Sequence, residues 1–414
     1  MIPALVESLS TEQCAIYDAM QVCADQRNVN VYLVGGAVRD WLMGHPAGDL
    51  DFTVEADGIV FARALSDVHG GEVVAHERFR TATWTFNGLH TDITTARSES
   101  YPRPAALPVV APAPIGVDLM RRDFTINAMA VRLRDGALLD PFDGQADLRR
   151  KVIRALHARS FIDDPTRILR AARYSARFGF EIEPETRVWI DAGLPWLKDL
   201  SGERVKYDIE HIFAIPKAPD ALILLRAWSV FAALGIAVPE PATLLARFDA
   251  IRSHLSTWDD ARIVPYGHRI AAGWGALIYN LGQMSASRWL ELIPYTSEVN
   301  EAIVSLGVLS TLAASLFVGR SSHQSALLRP FSAMALLFMW LYDPAPAKRT
   351  AAFNEWHTWR GLRPLTTGDD LRARGVRPGP IYGKVLAMLR DAWLDGDVTT
   401  DDEESALLTR LLSQ

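Results

Sequence analysis

The sequence predicts an α+β chain: a mixed head of roughly the first third, then a remainder that is helical throughout. Three observations carry this. Between Val29 and Asp140, short β-prone runs alternate with short helical ones. Two of those runs are joined by Asn87-Gly88, a dipeptide that favours a tight hairpin turn. From about Gln145 onward strand signals nearly vanish, and apolar residues recur at i, i+3 and i+4.

Taken in order, Val31–Val34 is a compact apolar run ending at Gly35-Gly36, and a helix opens after the glycines. Leu50–Val54 alternates with period two and reads as a strand. Gly58–Val68 has helical spacing. Thr81–Phe86 and Leu89–Thr94 are the two hairpin strands. Ala105–Pro114, rich in Pro and Ala, reads as a loop. Arg167–Phe178 is the clearest helix, with Ile168, Ala171, Ala172 and Ser175 on one side and Arg170, Arg173 and Arg177 elsewhere. Breaks are expected at Gly179, Pro195, Pro216–Pro219, Pro239–Pro241 and Pro344–Pro346.

The 414 residues carry 43 Lys and Arg against 49 Asp and Glu, a net charge of -6, so a general electrostatic sponge for nucleic acid is excluded. The only cysteines, Cys14 and Cys23, have no metal-ligand spacing and point to a reducing, cytoplasmic setting. The N-terminus lacks the basic-then-apolar pattern of a signal peptide. Ala302–Gly319 is uncharged and long enough to span a membrane, but its Ser, Thr and Gly content points to buried helical core. Phe331–Tyr342 is too short to span. No membrane association is expected, and the twelve tryptophans read as core.

Three constellations carry chemistry. In the first, Gly35 and Gly36 let the backbone approach a ligand closely at a helix start, where free N–H groups favour phosphate, and Arg39 can pair with a phosphate oxygen. Asp49 and Asp51 are two apart, so a strand points both carboxylates to one face. Like charges that close repel unless a cation sits between them, and hard oxygen ligands suit Mg²⁺. Asp92, on the second hairpin strand, is a third acid that either joins this cluster or faces solvent.

In the second, Arg121-Arg122 precede Asp123, which reads as the cap of a helix starting near Phe124, with Asn127 one turn on. The arginines are either solvated or forks for phosphate and ribose, oriented by Asp123 and Asn127. In the third, Asp164-Pro165 has the form of an N-cap followed by Pro at the first helical position, and Arg167 is its neighbour on the helix. A carboxylate accepts and a guanidinium donates. Cytosine and adenine present an exocyclic amino donor beside a ring-nitrogen acceptor, while guanine and uracil present the reverse. One such pair can therefore take C and A and refuse G and U. Arg170 and Arg173 continue the row toward phosphates or packed acids.

These segments, in this order, resemble the class II tRNA nucleotidyltransferase / poly(A) polymerase family, the CCA-adding enzymes. Leu33–Asp40 with Asp49–Asp51 is similar to the family's first motif and Arg121–Ala130 to the second. Asp140–Gly144 through Leu148 is similar to the third, a hinge; Asp163–Phe180 to the fourth; Gly202–Val205, at a helix start, to the fifth. The resemblance covers roughly residues 29 to 215, about half the chain. It implies a polymerase-β-like nucleotidyltransferase head (1–145), a helical neck that recognises the base (146–215), a helical body (216–345) and a helical tail that contacts tRNA (346–414). It implies Mg²⁺ at Asp49 and Asp51, and nucleotide contacts from Gly35, Gly36, Arg39, Arg122, Asp123, Asn127, Asp164, Arg167, Arg170 and Arg173, with Asp92 a further catalytic candidate. The implied reaction transfers CMP and AMP from CTP and ATP to a tRNA 3′ hydroxyl.

Three departures stand out. The fourth motif opens Asp163-Asp164 where the family usually has Glu-Asp. Glu99–Pro108 replaces the acidic-basic pattern common in a loop thought to govern the switch from C to A addition, which leaves a C-only or A-only enzyme open beside full CCA addition. Some relatives carry a His-Asp hydrolase domain; Gly267–Gly282 contains no His-Asp dipeptide, and no phosphohydrolase activity is expected. Toward the end, Gly368–Leu371 and Gly375–Pro380 resemble a tail segment of these enzymes; Arg372, Arg374, Arg377 and Lys384 there are either an ordinary packing surface or contacts for tRNA phosphates. The rivals are a poly(A) polymerase and a catalytically silent RNA-binding scaffold, which the intact Asp49/Asp51 pair argues against. No protein partner is inferred.

Overall fold

Val31–Val34 (β1) is buried at all four positions, because both of its faces are covered; this explains its continuous apolar run. The computed structural model describes residues 5–255 and 268–413. Around β1 lie β2 (Asp51–Val54), β3 (Glu72–His76), β4 (Thr81–Phe86), β5 (Leu89–Thr95), β8 (Ala130–Arg132) and β9 (Leu138–Leu139), in the order β3-β4-β5-β2-β1-β8-β9. All pairings are antiparallel except β2 with β5, whose register sets Asp51 opposite Asp92. The β4–β5 hairpin turns at Asn87 (φ 51°) and Gly88 (φ 78°), the two positive φ values its two-residue loop requires.

Before β1 runs α1 (Thr11–Arg27), started by a capping box between Ser10 and Gln13. Helix α2 (Gly36–Leu42) follows the glycines as expected. Helix α3 (Gly58–His69) is capped by Asp57, which accepts from the N–H groups of Ile59 and Val60. The expected loop 105–114 contains a strand instead: β7 (Val109–Pro112) pairs antiparallel with β6 (Arg97–Ser100). A two-stranded ribbon asks each strand for partners on one side only, so Pro108 and Pro112 do not prevent it. After it comes the short helix α4 (Ile115–Met120). The helix expected from Phe124 is a single tight turn, Thr125–Asn127, because β8 takes over the chain three residues later.

From α5 (Gly144–Arg150) the described residues are helical but for a two-residue parallel ladder, Val152–Ile153 with Glu181–Ile182, and an isolated bridge from Ala155 to Phe124. Helices α6 (Ser160–Asp163), α7 (Thr166–Phe178), α8 (Pro184–Gly193), α9 (Gly202–Ala214), α10 (Ala218–Ala227) and α11 (Val230–Ala233) follow. Ile168, Leu169, Ala171 and Ala172 of α7 are fully buried, and α7 packs against α9 and α10. Gly179 ends α7 with φ 69°. The chain divides into two compact units, Met1–Leu234 and Gly235–Gln414, so α10 and α11, beyond residue 215, belong with the first.

The second unit is helical throughout its described residues. Gly267 lies outside the described residues; His268–Ile278 is helix. Of the uncharged run 302–319, the first part belongs to the helix Ser297–Thr311, which buries Val299, Ala302, Ile303, Leu306 and Leu309 and exposes Val304 and Val308. No single described helix is long and apolar enough to cross a membrane; one pair, Ser321–Leu328 with Ala333–Tyr342, passes on composition but is bent by 117°. Eight of the ten residues of Ala333–Tyr342 are buried inside the unit. The expected C-terminal helix, turn and helix are Gly368–Ala373 and Pro380–Asp395, with Arg372, Arg374, Arg377 and Lys384 all exposed. Trp84, Trp274 and Trp289 are among the largest fully buried side chains.

Candidate active site

The sheet, α2, α7 and α9 enclose a cavity of about 1070 Å³ in the first unit. Gly35, Gly36, Arg39, Asp49, Asp51, Asp92, Arg122, Asp123, Asn127, Asp164, Arg167, Arg170 and Arg173 all line it, so every residue named from the sequence as a catalytic or nucleotide-binding candidate is brought to one place.

At one end stand the acids. Asp51 opens β2, while Asp49 is exposed in the bend before it. The expected sharing of one strand face is therefore not how the two are held: the strand begins only at Asp51, and the bend carries Asp49. Asp92, on β5, is Asp51's cross-strand neighbour, and its Oδ1 accepts from Thr83 Oγ1 at 2.7 Å. Burial, then the Asp92 carboxylate and, less, that of Asp49, push the Asp51 carboxyl up to about 6 against the opposing charge of Arg122.

Gly35 takes φ 68° and ψ -123°, a backbone state open essentially to glycine. A Cβ there would lie 3.0 Å from Arg122 Nη1. Gly35→Ala therefore strains the turn and displaces Arg122. The expected result is a fall in nucleotide incorporation of about tenfold or more, with a lowered melting temperature. Wild-type rates in this variant would remove the close approach from the account.

Beyond the glycines, most of the arginines that the sequence left as solvated, phosphate-binding or packed against acids are paired with acids. Arg39 is 3% exposed, donating from Nε to Asp40 and from Nη1 to Asn127 Oδ1, with its guanidinium over the rings of Tyr174 and Phe178. Asn127 Nδ2 donates to Asp123 Oδ1 at 2.9 Å, and Asp123 Oδ2 accepts from Arg170 Nε at 2.8 Å. Arg177 approaches Asp40 at 3.6 Å. One chain of ion pairs and hydrogen bonds thus ties α7 to the glycine turn and the 125–127 turn. Asp123 is buried; burial alone would raise its carboxyl, but Arg170 and the hydrogen bonds hold it down at about 2. Arg121 and Arg122 are also paired, both with the fully buried Asp118, at 2.8 and 3.0 Å.

At the other end stands Asp164. Its Oδ1 accepts from Thr166 N and Oγ1 at the start of α7, whose N-cap position is Pro165, one residue later than the sequence suggested, and also from Arg204 Nη2 at 2.6 Å. Its Oδ2 lies 4.0 Å from Arg167 Nε. Arg167 is anchored by Nη1 to Ser160 Oγ and by Nη2 to the Arg121 carbonyl. Arg204 also donates to the Ala105 carbonyl. Sequence reasoning left out Asp40, Asp118, Tyr174, Arg204 and Asp208. Asp40, Tyr174 and Arg204 lay inside the Leu33–Asp40, Asp163–Phe180 and Gly202–Val205 motifs without being singled out; Asp118 and Asp208 declare themselves only by the charges the fold sets beside them.

Residues 31–154 match the poly A polymerase head domain. Over 98% of its length the chain is 30% identical to the A-adding tRNA nucleotidyltransferase of Halalkalibacterium halodurans, covering 94% of that protein. The chain belongs to the tRNA nucleotidyltransferase family. Its similarity to the CC-adding tRNA nucleotidyltransferase of Deinococcus radiodurans is 31% identity over 92% of this chain and 89% of that one. The Thermotoga maritima CCA-adding enzyme, solved complexed with tRNA-CCA, superposes with a TM-score of 0.74 at 27% identity, over 99% of this chain and 97% of that one. This nucleotidyltransferase therefore has a polymerase-like α+β head and a helical remainder, as the motifs implied. Nucleotidyltransferases of this kind use a divalent metal. The acids at the head end fit one in donor chemistry: hard carboxylate oxygens gathered against their own repulsion. Among the described residues no three acids, histidines or cysteines already converge as a finished site.

Proposed function

We propose that this chain adds C, A or both to tRNA 3′ ends, taking nucleotides from CTP and ATP without a nucleic-acid template and releasing pyrophosphate. The observation that carries it is the single cavity: carboxylates at one end, and a carboxylate beside a guanidinium at the other. Asp49 and Asp51 are the candidates to hold Mg²⁺, which would supply Lewis-acid stabilisation of the phosphates. Asp92, beside Asp51, is the third acid of that end. Gly35, Gly36 and Arg122 give the triphosphate a close backbone and a positive charge. Arg39, Asp123, Asn127 and Arg170 are spent mainly on one another and keep the glycine turn and α7 in register. The attacking hydroxyl and the α-phosphate must meet near the acids, so the base points toward the neck. There Asp164 Oδ2 accepts from an exocyclic amino group, and Arg167 and Arg173 supply donors. A cytoplasmic setting goes with this substrate and with the two free cysteines.

The test is incubation with tRNA lacking its 3′ CCA, ending in C or ending in CC, with labelled CTP and ATP singly and together, resolved to one nucleotide. Incorporation of C, of A or of both on these ends alone is expected. No incorporation under any condition overturns the reading, and long A tails on unrelated RNA convert it to a poly(A) polymerase. In the same assay Asp164→Asn should erode the preference for CTP and ATP over UTP and GTP by about tenfold or more, since an amide presents donor and acceptor alike. Unchanged selectivity would remove Asp164 from base choice.

A further inference from the structure

Helix α9 presents a pair of rings to the cavity. Tyr207 and His211 both line it, four residues apart and so on one helix face, with ring centroids 4.2 Å apart. His211 Nδ1 donates to the Tyr207 carbonyl at 2.7 Å, which fixes the imidazole against the tyrosine. Tyr207 nevertheless remains 59% exposed. The other aromatic side chains that line the cavity are committed elsewhere. Phe52 is fully buried. Tyr174 is buried, stacked with Phe178 and overlain by the guanidinium groups of Arg39, Arg170 and Arg173. Tyr101 is half-buried, and its hydroxyl donates to Glu99. Among the described residues that line the cavity, Tyr207 is the one exposed aromatic.

An open aromatic face beside a nucleotide site is a surface on which a base can stack, and every base has such a face to offer. Its place separates it from the incoming base. Arg204, three residues earlier on α9, donates to Asp164, the carboxylate assigned to that base. Tyr207 stands about 4.5 Å further along the helix axis. Transfer to an RNA end brings a second nucleoside beside the first, because the attacking hydroxyl must lie against the α-phosphate. The cavity, about 1070 Å³, has room beyond one ligand. The charges that α9 turns to the cavity bear on which part of the RNA it meets: Glu203, Asp208 and Glu210 stand against Arg204 and Lys206. A surface with acids in excess offers no track for phosphates, so what this helix can hold of an RNA is a base and not the backbone.

We propose that the Tyr207 ring, backed by His211, is a stacking platform for a base in the single-stranded 3′ end of the acceptor RNA, and holds that end in place while Asp164 and Arg167 select the incoming nucleotide. Stacking engages the face of a base and not its edge, so the platform adds affinity for the acceptor without choosing its sequence. This rests on the tRNA-end reading above.

The experiment measures KM for tRNA and for the triphosphate with the full-length chain, on an acceptor tRNA that wild type extends, intact and with an abasic nucleotide at each of its last three positions in turn. Tyr207 is exposed, so truncating it leaves the core intact. Tyr207→Ala is expected to raise the KM for intact tRNA by about tenfold, with the triphosphate KM within about twofold of wild type. Tyr207→Phe, which keeps the ring, is expected to stay within about twofold of the wild-type tRNA KM. At one position the abasic nucleotide is expected to raise the wild-type KM by about tenfold and that of Tyr207→Ala by less than about twofold, because one contact is lost only once. Three results overturn the assignment: no abasic position whose effect Tyr207→Ala removes, a rise in the triphosphate KM in place of the tRNA KM, or a Tyr207→Phe variant as impaired as Tyr207→Ala. Wild type that extends no tRNA would instead sink the proposed function, and this inference with it.

Discussion

Replacing Asp51 with Asn lowers nucleotide incorporation by about a thousandfold or more, with tRNA binding largely intact. Asp51 opens the strand beside β1, faces Asp92 across the ladder and lines the cavity. Its carboxyl is pushed up to about 6 by burial and by the acids around it, so its ionised form is held at a cost that Arg122 offsets in part and that a bound cation would offset further. Asparagine keeps the size and removes the charge. Single-turnover incorporation of labelled CTP or ATP into tRNA, with a parallel tRNA-binding measurement, checks both halves. Near-normal turnover would refute the assignment of the metal to this end. Loss of tRNA binding together with activity would show that the strand itself had been disturbed.

Arg170→Ala is expected to destabilise the first unit by about 3–5 kcal/mol. Asp123 is buried, and the partly exposed Arg170 is its principal counter-charge, donating from both Nε and Nη2. Removing the guanidinium strands a buried carboxylate. The pH dependence follows from the sign of the shift. Asp123 titrates at about 2 in the fold against 3.8 ordinarily, so its contribution is full above 3.8 and is lost as pH falls through 2. That part amounts to roughly 2 kcal/mol. Denaturant unfolding of wild type and R170A should therefore show a gap that is constant above about pH 5 and narrows toward pH 2. A gap that does not change with pH would mean that packing, and not the ion pair, holds α7 to the head.

The hairpin, the glycine turn and the α7 helix were readable because each is specified by neighbours in the chain. Asn87-Gly88 supplies its own turn, and α7 carries its apolar stripe in 13 residues. The ribbon strand Val109–Pro112 was not readable, since its prolines argue against pairing and only a partner 9 to 15 residues upstream permits it. The acids and bases of the site were legible as residue types at suggestive spacings. Their states were not: Arg39 looked like a free phosphate ligand, and the fold commits it to Asp40, Asn127 and two aromatic rings.

Taken alone, then, the order of residues determined the secondary structure that short-range spacing enforces, the family, and the list of groups able to do chemistry. What only the folded molecule decided is which of those groups remain open to a ligand. Charge pairing depends on approach in space: Arg204 reaches Asp164 across 40 residues, and Arg170 reaches Asp123 across 47. An arginine and an acid that far apart in the chain carry no local sign of their meeting.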